Sequence, residues 1–187
     1  MIITISGNPG SGKSTIAKIM VDKLGLERVY VGGVMRELAR EKKMNISELM
    51  QYAKTHPEID KEADLKAAEL ARKLEKAGND VVVEGRMQFH FIPESIKIYV
   101  KVEPDEGALR IWKEIQNKDA HNLRNEGKVT SLEEMKLSTK NRETEDALRL
   151  KNLYNVDFRD ESNYDHVVDS THISAMQAAE KVIELIS

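Results

Sequence analysis

A glycine-rich run that ends in a lysine and two hydroxyl residues follows the first apolar segment of the chain. It reads GNPGSGKST and matches the pattern G-x-x-x-x-G-K-[ST] in full. In such a loop the backbone N–H groups converge on phosphate oxygens, the lysine reaches the outer phosphates and the hydroxyl after it holds Mg²⁺. We therefore predict that this run binds ATP and Mg²⁺ through Gly7, Asn8, Pro9, Gly10, Ser11, Gly12, Lys13, Ser14 and Thr15.

A second group of charged residues follows the buried-strand pattern DVVVEGR. Glu84 ends this strand, and Arg86 comes two residues later. The carboxyl ends of parallel strands meet at one edge of a sheet, so we expect Glu84 to reach the Mg²⁺ shell and Arg86 to project into the same crevice. The alternative for both residues is a salt bridge at the strand end.

Three further arginines lie on predicted helices. Arg142 and Arg149 are seven residues apart, which puts them on one helical face suited to a doubly charged phosphate or a transferring phosphoryl group. Arg110 could stack on a base through its guanidinium plane. A solvated, charged helix face is the alternative for the first two.

Composition and charge limit the class of protein. The 187 residues include 29 Lys and Arg and 32 Asp and Glu, a net charge of −3 that does not indicate stable nucleic-acid binding. The chain has no cysteine, which excludes disulfides and thiolate metal sites. No apolar run reaches the roughly 20 residues that span a bilayer, and the opening MIITISG resembles a buried strand rather than a signal peptide. We expect a cytoplasmic protein without a membrane segment; monomer and dimer both stay open.

Apolar runs that alternate with helical patterns predict a doubly wound α/β fold. Strands are expected at Ile2–Ser6, Arg28–Val31, Asp80–Glu84, Ile96–Val102 and His166–Asp169. Helices are expected at Lys13–Leu24, Gly33–Lys42, Ser47–Lys54, Pro57–Ala77, Pro104–Ile115, Ser131–Tyr154 and Ile173–Ile186. Most strand runs are rich in Val and Ile without strict alternation, which is typical of strands buried on both faces of a parallel sheet.

A series of motifs along the chain resembles the nucleoside monophosphate kinases, most closely the archaeal-type cytidylate kinases. The motifs are ISGNPGSGKSTIA, GGVMRELA, PEIDKEAD, VVVEGR, RETEDALR, LYNVDF and YDHVVDST. Many families share the glycine loop, so the later motifs narrow the choice. The resemblance implies a single P-loop kinase domain over residues 1–187, built on a parallel five-stranded sheet. Residues 32–78 would form a helical monophosphate-binding arm, and residues 113–141 a lid over ATP.

The resemblance also implies roles for the arginines. Arg36 and Arg86 would hold the phosphate of the acceptor, and Arg110 would cover the adenine of ATP. Arg142 and Arg149 would clamp the transferring group. In the acceptor pocket we expect Gly32 to let the ligand approach the backbone. Gln88, Asp60 and Asp64 are candidates to recognise the base, since a carboxylate can accept from an exocyclic amine.

Three departures from the family pattern concern the pocket and the lid. Gly33 stands where the family often has an acidic residue, and MQFHF follows EGR where small and apolar residues are more common. Glu114 stands where a second lid arginine is often found, and Arg124 is the candidate to replace it.

Taken together, these features predict phosphoryl transfer from ATP to a small acceptor, with (d)CMP giving (d)CDP as the leading reaction. The residues show no histidine, cysteine or serine constellation typical of a covalent phosphoenzyme, and positioning with charge stabilisation is sufficient for this chemistry. Two alternatives stay open at this point. One is a kinase for AMP, UMP, dTMP or a non-nucleotide acceptor, and the other is an ATPase with a regulatory or assembly role.

Overall fold

A computed structural model describes residues 1–44, 46–116 and 129–187, and these residues form a parallel five-stranded sheet flanked by helices. The strands are β1 (Ile2–Gly7), β2 (Glu27–Tyr30), β3 (Val81–Glu84), β4 (Ile96–Lys101) and β5 (His166–Asp169). Their order across the sheet is β2-β3-β1-β4-β5, and every neighbouring pair is parallel. The predicted fold class is confirmed.

Eight α-helices connect and flank the strands in the described residues. They are α1 (Lys13–Leu24), α2 (Val31–Glu41), α3 (Ile46–Ala53), α4 (Glu58–Lys76), α5 (Gln88–Phe91), α6 (Pro104–Gln116), α7 (Leu132–Tyr154) and α8 (Ala175–Ile186). Most boundaries lie within one or two residues of the prediction. Val31 was predicted to end β2 but begins α2, because this helix follows the strand without an intervening loop. Helix α5 was not predicted.

The strands bury side chains on both faces, as their Val and Ile content predicted. Along β3, Val81 and Val83 pack with the side of the sheet that α2, α3 and α4 cover. Val82 points the other way and packs with residues of α1 and α8. All three are fully buried. This two-layer cover leaves the carboxyl ends of the strands as the edge where polar side chains can converge.

Serine side chains cap two of the described helices. Ser131 caps α7, and its hydroxyl accepts from the N–H of Glu134 at 3.1 Å. Ser174 caps α8 in a reciprocal pair with Gln177, so this helix begins two residues later than predicted. None of the described helices has the length and apolar character needed to cross a membrane.

Candidate active site

The glycine loop connects β1 to α1 and wraps around the side chain of Lys13. The Lys13 ammonium donates to the carbonyl oxygens of Gly7 and Asn8, both at 3.0 Å. Gly12 stands at the amino-terminal cap of α1 with a φ of 87°, so the first N–H groups of the helix face the loop. These N–H groups and the ammonium form a positive site at a helix amino terminus, the arrangement that binds phosphate.

Three contacts hold the loop in place from the opposite side. The Asn8 amide donates to the Val102 carbonyl at 2.8 Å and accepts from the Val102 N–H at 3.0 Å. A side-chain carbon on Gly10 would lie 2.3 Å from the carbonyl oxygen of Gly107, so the loop packs directly on the backbone of α6. The hydroxyl of Ser170, after β5, donates to the Ser11 carbonyl at 3.0 Å. The loop is therefore fixed in shape before any ligand binds.

The interior of the loop fits a triphosphate. A side-chain carbon on Gly12 would meet no protein atom within 4 Å. The Ser11 hydroxyl is buried and has no hydrogen-bond partner among the described residues. Ser14 and Thr15 are exposed in the first turn of α1. Open space and exposed hydroxyl groups at a helix amino terminus fit phosphate oxygens and Mg²⁺.

Glu84 ends β3 beside the loop and is engaged by a neighbouring strand. Its carboxylate is 3 % exposed and pairs with the Arg28 guanidinium of β2. The predicted role in the Mg²⁺ shell stays a prediction, and it would require Arg28 to share one carboxylate oxygen. The residues after Glu84 adjoin the loop, because the Ser6 hydroxyl donates to the Gly85 carbonyl at 2.7 Å and the Arg86 carbonyl at 3.2 Å.

Two of the predicted arginines meet at a carboxylate that the sequence analysis did not single out. Arg86 lies 2.7 Å and Arg149 3.0 Å from different oxygens of Asp146 on α7. Arg142 is farther away, with its Nε 4.0 Å from the same carboxylate. Arg149 also pairs with Asp60 of α4. This arginine cluster (Arg86, Arg142 and Arg149 around Asp146) joins the segment after β3 to α7, and Asp60 connects it to α4.

Burial shifts the pKa of charged groups in and around the arginine cluster. Burial lowers the pKa of Arg86 and of Arg149, although guanidinium groups stay charged in proteins. Burial also raises the pKa of Glu143, while the nearby charges of Arg159, Arg86 and Lys13 lower it. Glu143 therefore lies within electrostatic range of both Lys13 and Arg86.

Asp64 and Gln88 form a buried network with Tyr154 beside the arginine cluster. Gln88 Nε2 donates to Asp64 Oδ1 at 2.8 Å, and the Tyr154 hydroxyl donates to Asp64 Oδ2 at 3.0 Å. Burial raises the pKa of Asp64 to about 6, although the two hydrogen bonds and the Arg86 charge oppose the shift. Both carboxylate oxygens thus have donors already, and the predicted contact of Asp64 with a base stays a prediction.

Arg110 and Arg36 lie at opposite sides of the site. Arg110 donates to the carbonyl oxygens of Ser170 at 2.7 Å and Thr171 at 3.0 Å, beyond the end of β5. Hydrogen bonds of a guanidinium lie in its plane, so these bonds do not use the faces that the predicted stacking would need. Arg36 is exposed on α2, donates to the Gly32 carbonyl at 3.2 Å and lies 5.8 Å from the Tyr30 ring.

Comparison with known proteins decides the family. The cytidylate kinase of Archaeoglobus fulgidus is 37 % identical over 187 residues, which cover 100 % of this chain and 92 % of that protein. The cytidylate kinase of Methanocaldococcus jannaschii is 37 % identical over 175 residues, covering 91 % of this chain and 89 % of that protein. The chain belongs to the cytidylate kinase family. It is therefore a nucleoside monophosphate kinase, as the resemblance of its motifs predicted.

Two further matches agree with the fold of this kinase. The family described as AAA domain matches residues 3–130, which contain the glycine loop. The shikimate kinase of Bacteroides thetaiotaomicron superposes with a TM-score of 0.60 at 12 % identity, over 100 % of this chain and 98 % of that one. At this identity the likeness concerns the fold alone.

The sequence analysis missed two residues of the candidate site, Asp146 and Tyr154. Asp146 is four residues after Arg142 and three before Arg149, so helical spacing could have placed it between them. Tyr154 lies in the quoted motif LYNVDF but was given no role. Arg124, the candidate lid arginine, lies outside the described residues, as do residues 117–128 of the predicted lid.

Proposed function

We propose that this kinase transfers the γ-phosphoryl group of ATP to CMP or dCMP, giving ADP and CDP or dCDP, with Mg²⁺ and in the cytoplasm. The observation that carries the proposal is the position of Arg86. Its backbone carbonyl accepts from Ser6 at the start of the glycine loop, while its guanidinium joins Arg149 at Asp146. One residue thus links a triphosphate cradle to a second, independent set of phosphate-binding side chains.

Two phosphate sites at one sheet edge favour transfer between two nucleotides. Phosphoryl transfer needs little covalent work from the protein and depends on alignment and charge stabilisation. Lys13 would hold the outer phosphates of ATP, and Arg86 with Arg36 would hold the acceptor phosphate. When bound through the phosphates and the Ser14 hydroxyl, Mg²⁺ would neutralise charge on the β- and γ-phosphates.

The carboxylates of the arginine cluster prepare its guanidinium groups for a ligand. Asp146 holds Arg86 and Arg149 in fixed orientations, and Asp60 provides a second partner for Arg149. Ordering these side chains beforehand reduces the entropy lost when a phosphate binds. Arg142 is 52 % exposed and can reach a transferring group from the same helix.

The monophosphate-binding arm (residues 32–78), with its contacts to α7, would close over the second nucleotide. Asp60 and Asp64 lie on α4 of this arm, and they contact Arg149 and Tyr154 of α7 respectively. Closure of an arm against α7 would exclude water from the phosphates, which suppresses hydrolysis of ATP relative to transfer.

A coupled assay of ADP release tests this proposal. Mg·ATP is supplied with CMP, dCMP, UMP, AMP, GMP or dTMP separately, beside a control without acceptor. We expect CMP or dCMP to raise ADP release far above the control, and the ratio between them gives the sugar preference. ADP release that is equal with and without every monophosphate would contradict the proposal and indicate an ATPase.

A further inference from the structure

The Gln88 side chain presents a buried oxygen that has no partner. Gln88 begins α5 and is fully buried. Its Nε2 donates to Asp64 Oδ1 at 2.8 Å, whereas its Oε1 has no hydrogen-bond partner among the described residues. Buried side-chain oxygens without a partner are rare because their lost hydration is not replaced. A ligand bound against Gln88 would supply the donor that this oxygen lacks.

The orientation of this amide is fixed by chemistry as well as by position. An ionised carboxylate only accepts hydrogen bonds, so the side of Gln88 that faces Asp64 must be its NH₂ group. The second oxygen of Asp64 accepts from the Tyr154 hydroxyl at 3.0 Å. Tyr154 ends α7 and packs on α5, with its ring 5.2 Å from that of Phe91 in an edge-on contact. The relay from Tyr154 through Asp64 thus leaves Gln88 Oε1, and not Nε2, available.

We propose that Tyr154 and Asp64 are positioning residues that orient Gln88 Oε1 to accept from the exocyclic amine of the acceptor base. The inference rests on the proposed function and adds the basis of its selectivity. Cytosine carries an amino group at C4, whereas uracil and thymine carry a carbonyl oxygen there. An oxygen facing Oε1 would leave two acceptors opposed without a proton between them, so a keto base is rejected. Asp64 acts through Gln88 and does not contact the base.

Selectivity between CMP and UMP is the readout that separates positioning from a structural role. We would measure kcat/KM for both nucleotides in the wild type and in three variants. Gln88→Leu should lower kcat/KM for CMP about tenfold and leave UMP nearly unchanged, the loss expected for one hydrogen bond to a ligand. Asp64→Asn can donate to Gln88 Oε1 and turn the amide round, so CMP should weaken while UMP improves.

Tyr154→Phe is the milder variant and serves if Asp64→Asn does not fold. It keeps the ring and removes only the hydroxyl that holds Asp64, so the CMP-to-UMP ratio should fall a few-fold. Ser95→Ala is the matched control, because Ser95 is buried and its hydroxyl lies 2.9 Å from that of Thr4, at the amino-terminal end of β4. Its CMP-to-UMP ratio should equal that of the wild type.

The outcomes separate this inference from the proposed function. Equal losses for CMP and UMP in all three variants would overturn the inference and assign the network to stability. A wild type that phosphorylates CMP and UMP equally well would also overturn it, while leaving the kinase proposal intact. A wild type that phosphorylates no monophosphate would overturn both. Calorimetric titration of CMP and UMP without ATP should show the same selectivity in the affinities.

Discussion

Alanine substitutions at two glycines of the phosphate loop should have different effects, one mainly on stability and the other mainly on nucleotide binding. Gly10 and Gly12 have φ values of 78° and 87°, so an alanine at either position costs about 1–2 kcal/mol of backbone strain. Their surroundings differ. A side-chain carbon at Gly10 would lie 2.3 Å from the Gly107 carbonyl oxygen and 2.5 Å from its Cα, whereas at Gly12 it would meet no protein atom within 4 Å.

The two variants therefore separate stability from nucleotide binding. Gly10→Ala adds an overlap with backbone that cannot move aside freely, and overpacking of this kind costs a further 1–3 kcal/mol or so. Its free energy of unfolding should fall by about 2–5 kcal/mol in a urea titration. Gly12→Ala should lose only the backbone strain of about 1–2 kcal/mol, yet its methyl group would enter the space that we assign to the phosphates. Its affinity for a fluorescent ATP analogue should fall at least tenfold.

Two results would refute this reasoning. Wild-type nucleotide affinity in Gly12→Ala would mean that the phosphates do not occupy the space beside Gly12. Equal stability of the two variants would mean that the loop does not pack on α6 at Gly107. Because the backbone strain is similar in both, the comparison depends only on what each methyl group meets.

Three further predictions concern charged side chains. Lys13→Ala should lower the transfer rate at least 100-fold while the fold survives, since its ammonium donates to carbonyls of the glycine loop. Wild-type turnover in a steady-state assay would refute its assignment. Arg86→Ala should raise the KM for CMP about 10- to 100-fold and leave the KM for ATP nearly unchanged, as expected for a lost charged hydrogen bond. Arg72→Ala, which removes a surface pair with Glu94, is the control. A change confined to the KM for ATP would mean that Arg86 binds ATP and not CMP. The pKa of Asp64 is raised from 3.8 to about 6, so between these pH values the Asp64 carboxyl is protonated in the folded protein and ionised in the unfolded chain. The wild type should therefore lose up to about 3 kcal/mol of stability between pH 4 and pH 7 through this group. Asp64→Asn should therefore gain stability relative to the wild type as the pH rises over that range, and a difference independent of pH in urea titrations would contradict the raised pKa.

The sheet and the loop could be predicted because their signals are contiguous. Helix α1 and strand β5 match the predicted bounds, since a glycine loop precedes the helix and an apolar run defines the strand. The four-residue helix α5 was missed because it is too short to show a helical period. The candidate phosphate-binding residues of the glycine motif could be predicted because residue type and spacing both point to them.

The arrangement of the acceptor side could not be predicted because its contacts join distant segments. Tyr154 and Asp64 are 90 residues apart in sequence, and Arg149 and Asp60 are 89 apart. Sequence patterns indicated that Arg86 and Arg149 could bind phosphate groups, but not that Asp146 pairs with both of them. Likewise, Asp64 was a candidate to recognise a base, but sequence patterns could not show that its two oxygens accept from Gln88 and Tyr154.

The destination of the γ-phosphoryl group tests the central claim most directly. ATP labelled at the γ-phosphate is mixed with Mg²⁺, CMP and the protein, and the products are separated by chromatography over one turnover. We predict that the label appears in CDP, with little in inorganic phosphate. Label that appears in inorganic phosphate at the same rate with and without CMP would contradict the account.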